Sequence, residues 1–449
     1  MKKRVQYIIY LITFAIASLM FLACDTASNI EDPDLDYFVK YYGGDGDQFG
    51  VDLIALQDGS FLLLGRYSES EFNTDVYVVR VNGEGDVLWE TRVGDSDNPF
   101  DVWNSKDIEP TLDGNFLILT DYKKNSSSAT HYSDLKLIKI SPEGTVLDSV
   151  SLGTEANDFG RSITVLSDGG FIVSGYTEHT ATFNLANEPD PDLGDILNFR
   201  VDQNLAILTT NEWSPTENGY GSNLDVAVKA VEIPSKTEPG RYDYYVFGYT
   251  NSTLAGDLNP NQRLGLFYFQ RNSVGSLGNV WYPGNIINVN DTEINSVQSV
   301  DASMGGGYLI IGTSINVVGV SEMFVARMRP SLTFANPLSA DATFYNTIPL
   351  GRNIRGMSAA TSTVGQQGFF LLGNEVRGTG ALNFWLTKID QSGQVLWSTT
   401  FGSEAEDDRA AAVTELPDGK VVILGTMGLT DNQLKMAFIK LNRNGQLLK

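Results

Sequence analysis

One pattern recurs along the chain and limits what it can fold into: an apolar run that ends in a small residue and is entered from a tight turn. It occupies residues 61–65, 116–120, 171–175, 245–248, 308–312, 369–373 and 421–425, seven copies in all. Asp58-Gly59, Asp113-Gly114, Asp168-Gly169 and Asp418-Gly419 precede four of the runs and supply the positive φ that a tight hairpin needs. Copies five and six substitute Gly305-Gly306-Gly307 and Gln367-Gly368, and copy four lacks the turn. A third apolar stretch follows, as in Val76-Tyr77-Val78-Val79 and Ala437-Phe438-Ile439, then a second turn and a fourth strand such as Gly85-Asp86-Val87-Leu88-Trp89. Four strands in a unit of roughly 50 to 70 residues make a β-propeller blade, which must pack on its neighbours to bury both faces.

The expectation is therefore an all-β chain: a seven-bladed β-propeller over residues 37–449, with four antiparallel strands per blade. The last copy breaks off partway into its fourth strand at Gln446-Leu447-Leu448-Lys449. Residues 36–42 have the form of that strand, so the N-terminal strand is expected to close the ring and cover two sheet edges.

The first copy reads GGDGDQFGVDLIALQDGSFLLLG, then DVYVVRVNGEGDVLWETRVG; the last reads GSEAEDDRAAAVTELPDGKVVILG, then MAFIKLNRNGQLL. These repeats resemble those of propeller-type surface and secreted proteins of the Bacteroidetes, with their Gly-acid loop, DGG-type turn and apolar-Trp strand. The resemblance implies a propeller fold and export, and it carries no catalytic residue onto any position.

Ahead of the repeats stand Lys2, Lys3 and Arg4, an apolar run over residues 7–22, and Ala23-Cys24. Charged-then-apolar order is what a secretion machinery reads, and Ala23-Cys24 resembles the end of a lipobox. Residues 1–23 are expected to be a lipoprotein signal peptide, and Cys24 the lipidated residue. Residues 24–36, polar and acidic, form the tether. The protein is then held by its lipid on the outer membrane, facing the periplasm or the cell surface, as a monomer. Cys24 is the one cysteine in 449 residues, which excludes an internal disulfide framework and a multi-cysteine metal site.

A formal charge of −24 argues against a nucleic-acid partner. Two histidines, His131 and His179, leave no multi-histidine zinc site, and no phosphate loop occurs. The loops entering each repeat are acidic, and Asp47, Asp97, Asp158, Asp407 and Asp408 are the expected binding face, although turn-serving hydrogen bonds account for such residues as well. No required cofactor is read from the sequence; Asp190, Asp192 and Asp195, in a long insertion, are the oxygen donors available to calcium. Trp103, Trp213 and Trp281 offer faces for stacking on sugars, although a propeller core also consumes aromatics routinely. The leading expectation is a non-catalytic binding or scaffolding propeller for a protein or glycan partner. The alternative is a polysaccharide-acting hydrolase or lyase with paired carboxylates at the channel mouth.

Overall fold

The computed structural model describes residues 37–447, apart from 71–72, 95–101, 124–132, 179–193, 214–223, 237, 239–240, 251–264, 272–276, 282–290, 317, 335–337, 349–351, 404–405 and 430–432. Two single-turn 3-10 helices aside, its elements are strands. The first, β1, is Phe38–Tyr42; β2 to β5 are Asp47–Ala55, Phe61–Ser70, Asn73–Val81 and Val87–Val93. β6 to β9 are Val102–Pro110, Phe116–Lys123, Asp134–Ile140 and Val146–Leu152; β10 to β13 are Asn157–Val165, Phe171–Glu178, Asp195–Val201 and Ile207–Trp213. β14 to β17 are Asp225–Pro234, Tyr242–Thr250, Gly265–Arg271 and Leu277–Trp281; β18 to β21 are Asp291–Ser299, Tyr308–Ile315, Ser321–Met328 and Ala342–Ile348. β22 to β25 are Asn353–Ser362, Gly368–Val376, Leu382–Asp390 and Val395–Phe401; β26 to β28 are Arg409–Glu415, Val421–Gly428 and Leu434–Leu441.

From β2 onward each run of four strands is an antiparallel meander, and the first two runs are joined by a single parallel pairing of Thr74 with Val102. The final three strands take β1 as their fourth. It lies antiparallel to β28, with Phe38 opposite Lys440 and Tyr42 opposite Met436.

The second strand of each run carries an apolar stretch because both of its faces are covered there. In β3, Leu62 and Leu64 join the cluster formed with Ile108 and Ile118 of the following sheet. Phe61 and Leu63 point the other way and pack with Leu424 and Phe438 of the last sheet. The same alternation links β7 to β11 and the strands after it, and each fully buried side chain of this size contributes about 2 kcal/mol. The recurring glycine has an equally local cause. Gly175 pairs with Gly160 beside an irregularity in β10, and a Cβ at Gly175 would land on the Phe159 carbonyl oxygen. Gly65, Gly312 and Gly373 meet the carbonyls of Phe49, Glu293 and Arg355 in the same way.

Candidate active site

The irregularity is a β-bulge, and it recurs at one position in every inner strand: β2, β6, β10, β14, β18, β22 and β26. A bulge opposes two residues to one and re-aims the side chains that follow it. Here the residues just past it, Asp52, Asp107, Ser162, Lys229, Ser296 and Ser358, with Ala412 from β26, line one shared cavity of about 630 Å³. All seven inner strands contribute to that lining, so the cavity is the central channel of the molecule.

Four of the lining groups form a connected charge cluster. Lys229 Nζ lies 2.8 Å from Glu109 Oε1 and 3.7 Å from Asp107 Oδ2, and it donates to the Ile163 carbonyl at 2.5 Å. Asp107 Oδ2 accepts from the Ile163 amide at 2.6 Å. Asp52 hydrogen-bonds Asp107 and accepts from the amides of Leu53 at 2.8 Å and Ile108 at 3.3 Å. Asp52 is thus tied to the second meander and Asp107 to the third, so both carboxylates also hold neighbouring sheets in register.

The electrostatics of these groups differ. Burial, reinforced by the charges of Asp107 and Glu109 and by the hydrogen bond with Asp107, raises the Asp52 carboxyl well above the usual range. Glu109 is also raised by burial, with Lys229 pulling the other way. Burial works against the Lys229 ammonium, but Asp107, Glu109 and Asp52 together outweigh it and move it above a lysine's ordinary value. Glu109 keeps a 31% exposed side chain at the edge of the lumen. The channel therefore holds a carboxyl that burial holds above its usual range beside a carboxylate anchored by an ammonium and an amide, the division of labour that acid–base chemistry uses.

The acids expected from the entry loops are placed elsewhere. Asp47 Oδ1 accepts from the Leu434 amide at 2.9 Å, and Asp407 Oδ1 accepts from the Leu382 amide at 3.0 Å. Asp158 and Asp408 are fully buried; Asp158 accepts from the Thr154 amide at 2.5 Å, and Asp408 from the amides of Ser403 and Gly428. Each serves loop or strand backbone, and these four acids are not brought together around a lumen. Asp97, Cys24, Asp190, Asp192, His131 and His179 lie outside the described residues. Asp195 is buried in β12 opposite Thr177, and among the described residues no three acid, histidine or cysteine side chains converge on a metal position. Trp103, read as a sugar platform, is instead 5% exposed and packs on Tyr122 at 5.6 Å between ring centroids. The side chains of Trp213 and Trp281 lie outside the description.

Sequence reasoning passed over Asp52 and Asp107 because it looked to loops. A signal was present: Asp52, Asp107, Ser162 and Ala412 each stand six residues before the Asp of an Asp-Gly turn.

The architecture defines a propeller-like, all-β class. No family model and no curated protein sequence matches the chain. Solved structures to which it is similar include a protein of unknown function from Dyadobacter fermentans, at 10% identity, covering 76% of this chain and 97% of the other, with a TM-score of 0.45. A Penicillium chrysogenum α-L-arabinanase complexed with arabinobiose is 12% identical, with 76% and 94% covered and a TM-score of 0.42. The hemagglutinin-neuraminidase ectodomain of parainfluenza virus 5 is 10% identical, with 98% and 96% covered and a TM-score of 0.42. At these identities the likeness is one of fold. The expectation of a non-catalytic scaffold with its binding face on the entry loops is corrected: the channel holds a carboxylate–lysine cluster that the loop-centred reading did not contain.

Proposed function

We propose that the chain is a propeller-fold hydrolase that cleaves glycosidic bonds in a polysaccharide at the Asp52–Asp107–Glu109–Lys229 cluster. The observation that carries this reading is the part-exposed Glu109 carboxyl at the lumen beside Asp107, which Lys229 and the Ile163 amide hold in place; burial raising Glu109 supports it. Glu109 protonates the departing glycosidic oxygen. Asp107 supports the positive charge that develops on the sugar and orients the attacking water. The attacking water gives its proton to Asp107 as the new C–O bond forms, Asp107 passes that proton to solvent, and solvent returns one to Glu109. Asp52 fixes Asp107 by its hydrogen bond, and Lys229 holds the carboxyl groups of Asp107 and Glu109 in place.

On this proposal the meanders are seven blades, the last closed by β1. The leader and Cys24 place the enzyme on a lipid anchor at the outer membrane, where secreted polysaccharide is met; incorporation of labelled palmitate that Cys24→Ser abolishes is the corresponding check.

The test is release of reducing ends from a panel of plant, algal and host polysaccharides by the full chain in detergent. Turnover is expected on at least one member, falling about 10²- to 10⁴-fold in Glu109→Gln and in Asp107→Asn. No turnover anywhere, or variants as active as the parent, overturns the reading.

A further inference from the structure

The molecule is strongly acidic overall, yet four cations, Arg66, Lys106, Arg161 and Arg409, gather beside its channel, Lys106 paired with Asp121 at 2.8 Å and Arg409 with Asp407 at 3.3 Å. Lys106 and Arg161 occupy the bulge positions of β6 and β10 and line the lumen one step before the carboxylate cluster. Two residues earlier on the inner strands come Phe49, Phe159 and Arg409. Arg66, from β3, lays its guanidinium over the Phe49 ring at 4.4 Å and reaches Asn104 Oδ1 at 3.3 Å. The cations therefore form an arc from the last sheet through the first and second to the third.

Two of these guanidiniums are incompletely used. Arg66 Nε is buried with no hydrogen-bond partner, and burial together with the like charge of Arg409 disfavours its charged form. Arg161 donates from Nη2 to the Tyr249 hydroxyl at 2.8 Å, with Glu293 only at 4.0 Å, and its Nε is likewise buried without a partner. Its guanidinium carbon sits 5.9 Å from the ring centroids of both Tyr176 and Tyr249. A planar guanidinium with free N–H groups beside an aromatic face matches a planar or tetrahedral oxyanion carried on a sugar ring, which has an apolar face of its own.

We propose that the glycan entering this channel is anionic, its carboxylate or sulfate groups meeting Arg66 and Arg161 while sugar rings lie against the aromatic side chains of the entrance. This rests on the reading of the channel as a glycan-cleaving site and names the substrate class of that site. An oxyanion offers the two guanidiniums a charged acceptor and relieves the repulsion between Arg66 and Arg409, and a neutral sugar does not. Repeated charges along one polymer also explain why the cations are spread over several sheets rather than gathered at a single point.

The experiment is equilibrium binding by the full chain, carrying Glu109→Gln to prevent turnover, to four probes: polygalacturonate, chondroitin sulfate, neutral arabinan and a single-stranded oligonucleotide. Binding is expected for polygalacturonate, chondroitin sulfate or both, the pair telling carboxylate from sulfate recognition. It weakens as salt rises and falls about tenfold or more in Arg161→Gln and in Arg66→Gln. Arg409→Gln changes an exposed side chain outside the buried core and lowers affinity in the same direction. Equal affinity for arabinan, or for the oligonucleotide, or affinities unmoved in folded arginine variants, overturns the proposal. Anionic binding without turnover by the parent chain leaves this inference standing and removes the hydrolase reading; turnover of arabinan alone does the reverse.

Discussion

Asp158 shows how a single buried acid makes the fold sensitive to pH. Its carboxyl is fully buried, and burial pushes it up to about 6 even though the Thr154 amide and hydroxyl donate to it. An unfolded aspartate titrates near 3.9, so between about pH 4 and 6 the folded chain holds a proton that the unfolded chain has released. The native state is then the better proton binder, and stability falls as pH rises through that window, by about 3 kcal/mol for two units of separation. Asp158→Asn carries no such titration. Urea unfolding between pH 4 and 7 is expected to show the parent losing about 3 kcal/mol relative to the variant, while parallel curves would sink the assignment. Asp408 shares the raised direction and the same habit of binding backbone amides, so these two buried acids act as internal stitching whose charge burial disfavours. The sequence marked these acids as recurrent and offered backbone hydrogen bonding as their role; what it could not convey was which of them are buried, because an exposed and a buried Asp look alike in a turn-rich loop.

At the scale of the strand, one device links the repeat signature to the site. The bulge in each inner strand bends the backbone so that the opposing position tolerates no Cβ, which is why the second strand of most units carries a glycine at that point. The same bulge turns Asp52, Asp107 and Lys229 into the lumen. Thr120 fills the equivalent place in β7, opposite Ser105, so the rule bends where the neighbouring backbone allows it. Gly175→Ala puts a methyl group onto the Phe159 carbonyl oxygen. The variant is expected to lose about 1–3 kcal/mol in denaturant unfolding, as overpacked cores do, and with β10 displaced to lower turnover as well. Unchanged stability would mean that the bulge yields without cost. The strands themselves were legible in the primary structure because turn chemistry and period-two patterning are local. The channel cluster was not, since Lys229 stands 120 residues from Glu109 and only closure of the sheets around one axis brings them within 2.8 Å.

For the molecule as a whole, the decisive contact joins its two ends. β1 adds to β28, but its side chains also grip the first meander: the Tyr42 hydroxyl donates to the Gly85 carbonyl at 2.7 Å, and Lys40 pairs with Asp86 at 2.6 Å. Lys440 of β28 reaches the Gly83 carbonyl at 2.9 Å, so the first and last sheets are tied by both strands. Phe38 packs on Phe438 at 5.7 Å between centroids, in the cluster that also holds Phe61 and Tyr77 from the first sheet. Without that cluster the β28 edge and the apolar faces of two sheets are open together, a template for association between chains. Phe38→Ala is therefore expected to cost about 3–5 kcal/mol, more than a surface strand alone would imply, because the cavity lies in the seam that closes the ring. Removing residues 1–42 should go further and produce oligomers in sedimentation velocity where the parent sediments as one species. The catalytic reading is coupled to this seam: Asp52 is carried by β2, which packs on the last sheet, so loosening the closure should reduce turnover before the remaining sheets unfold. A closure variant that unfolds earlier yet keeps full turnover up to its transition would show that the channel cluster is held by its own sheets alone.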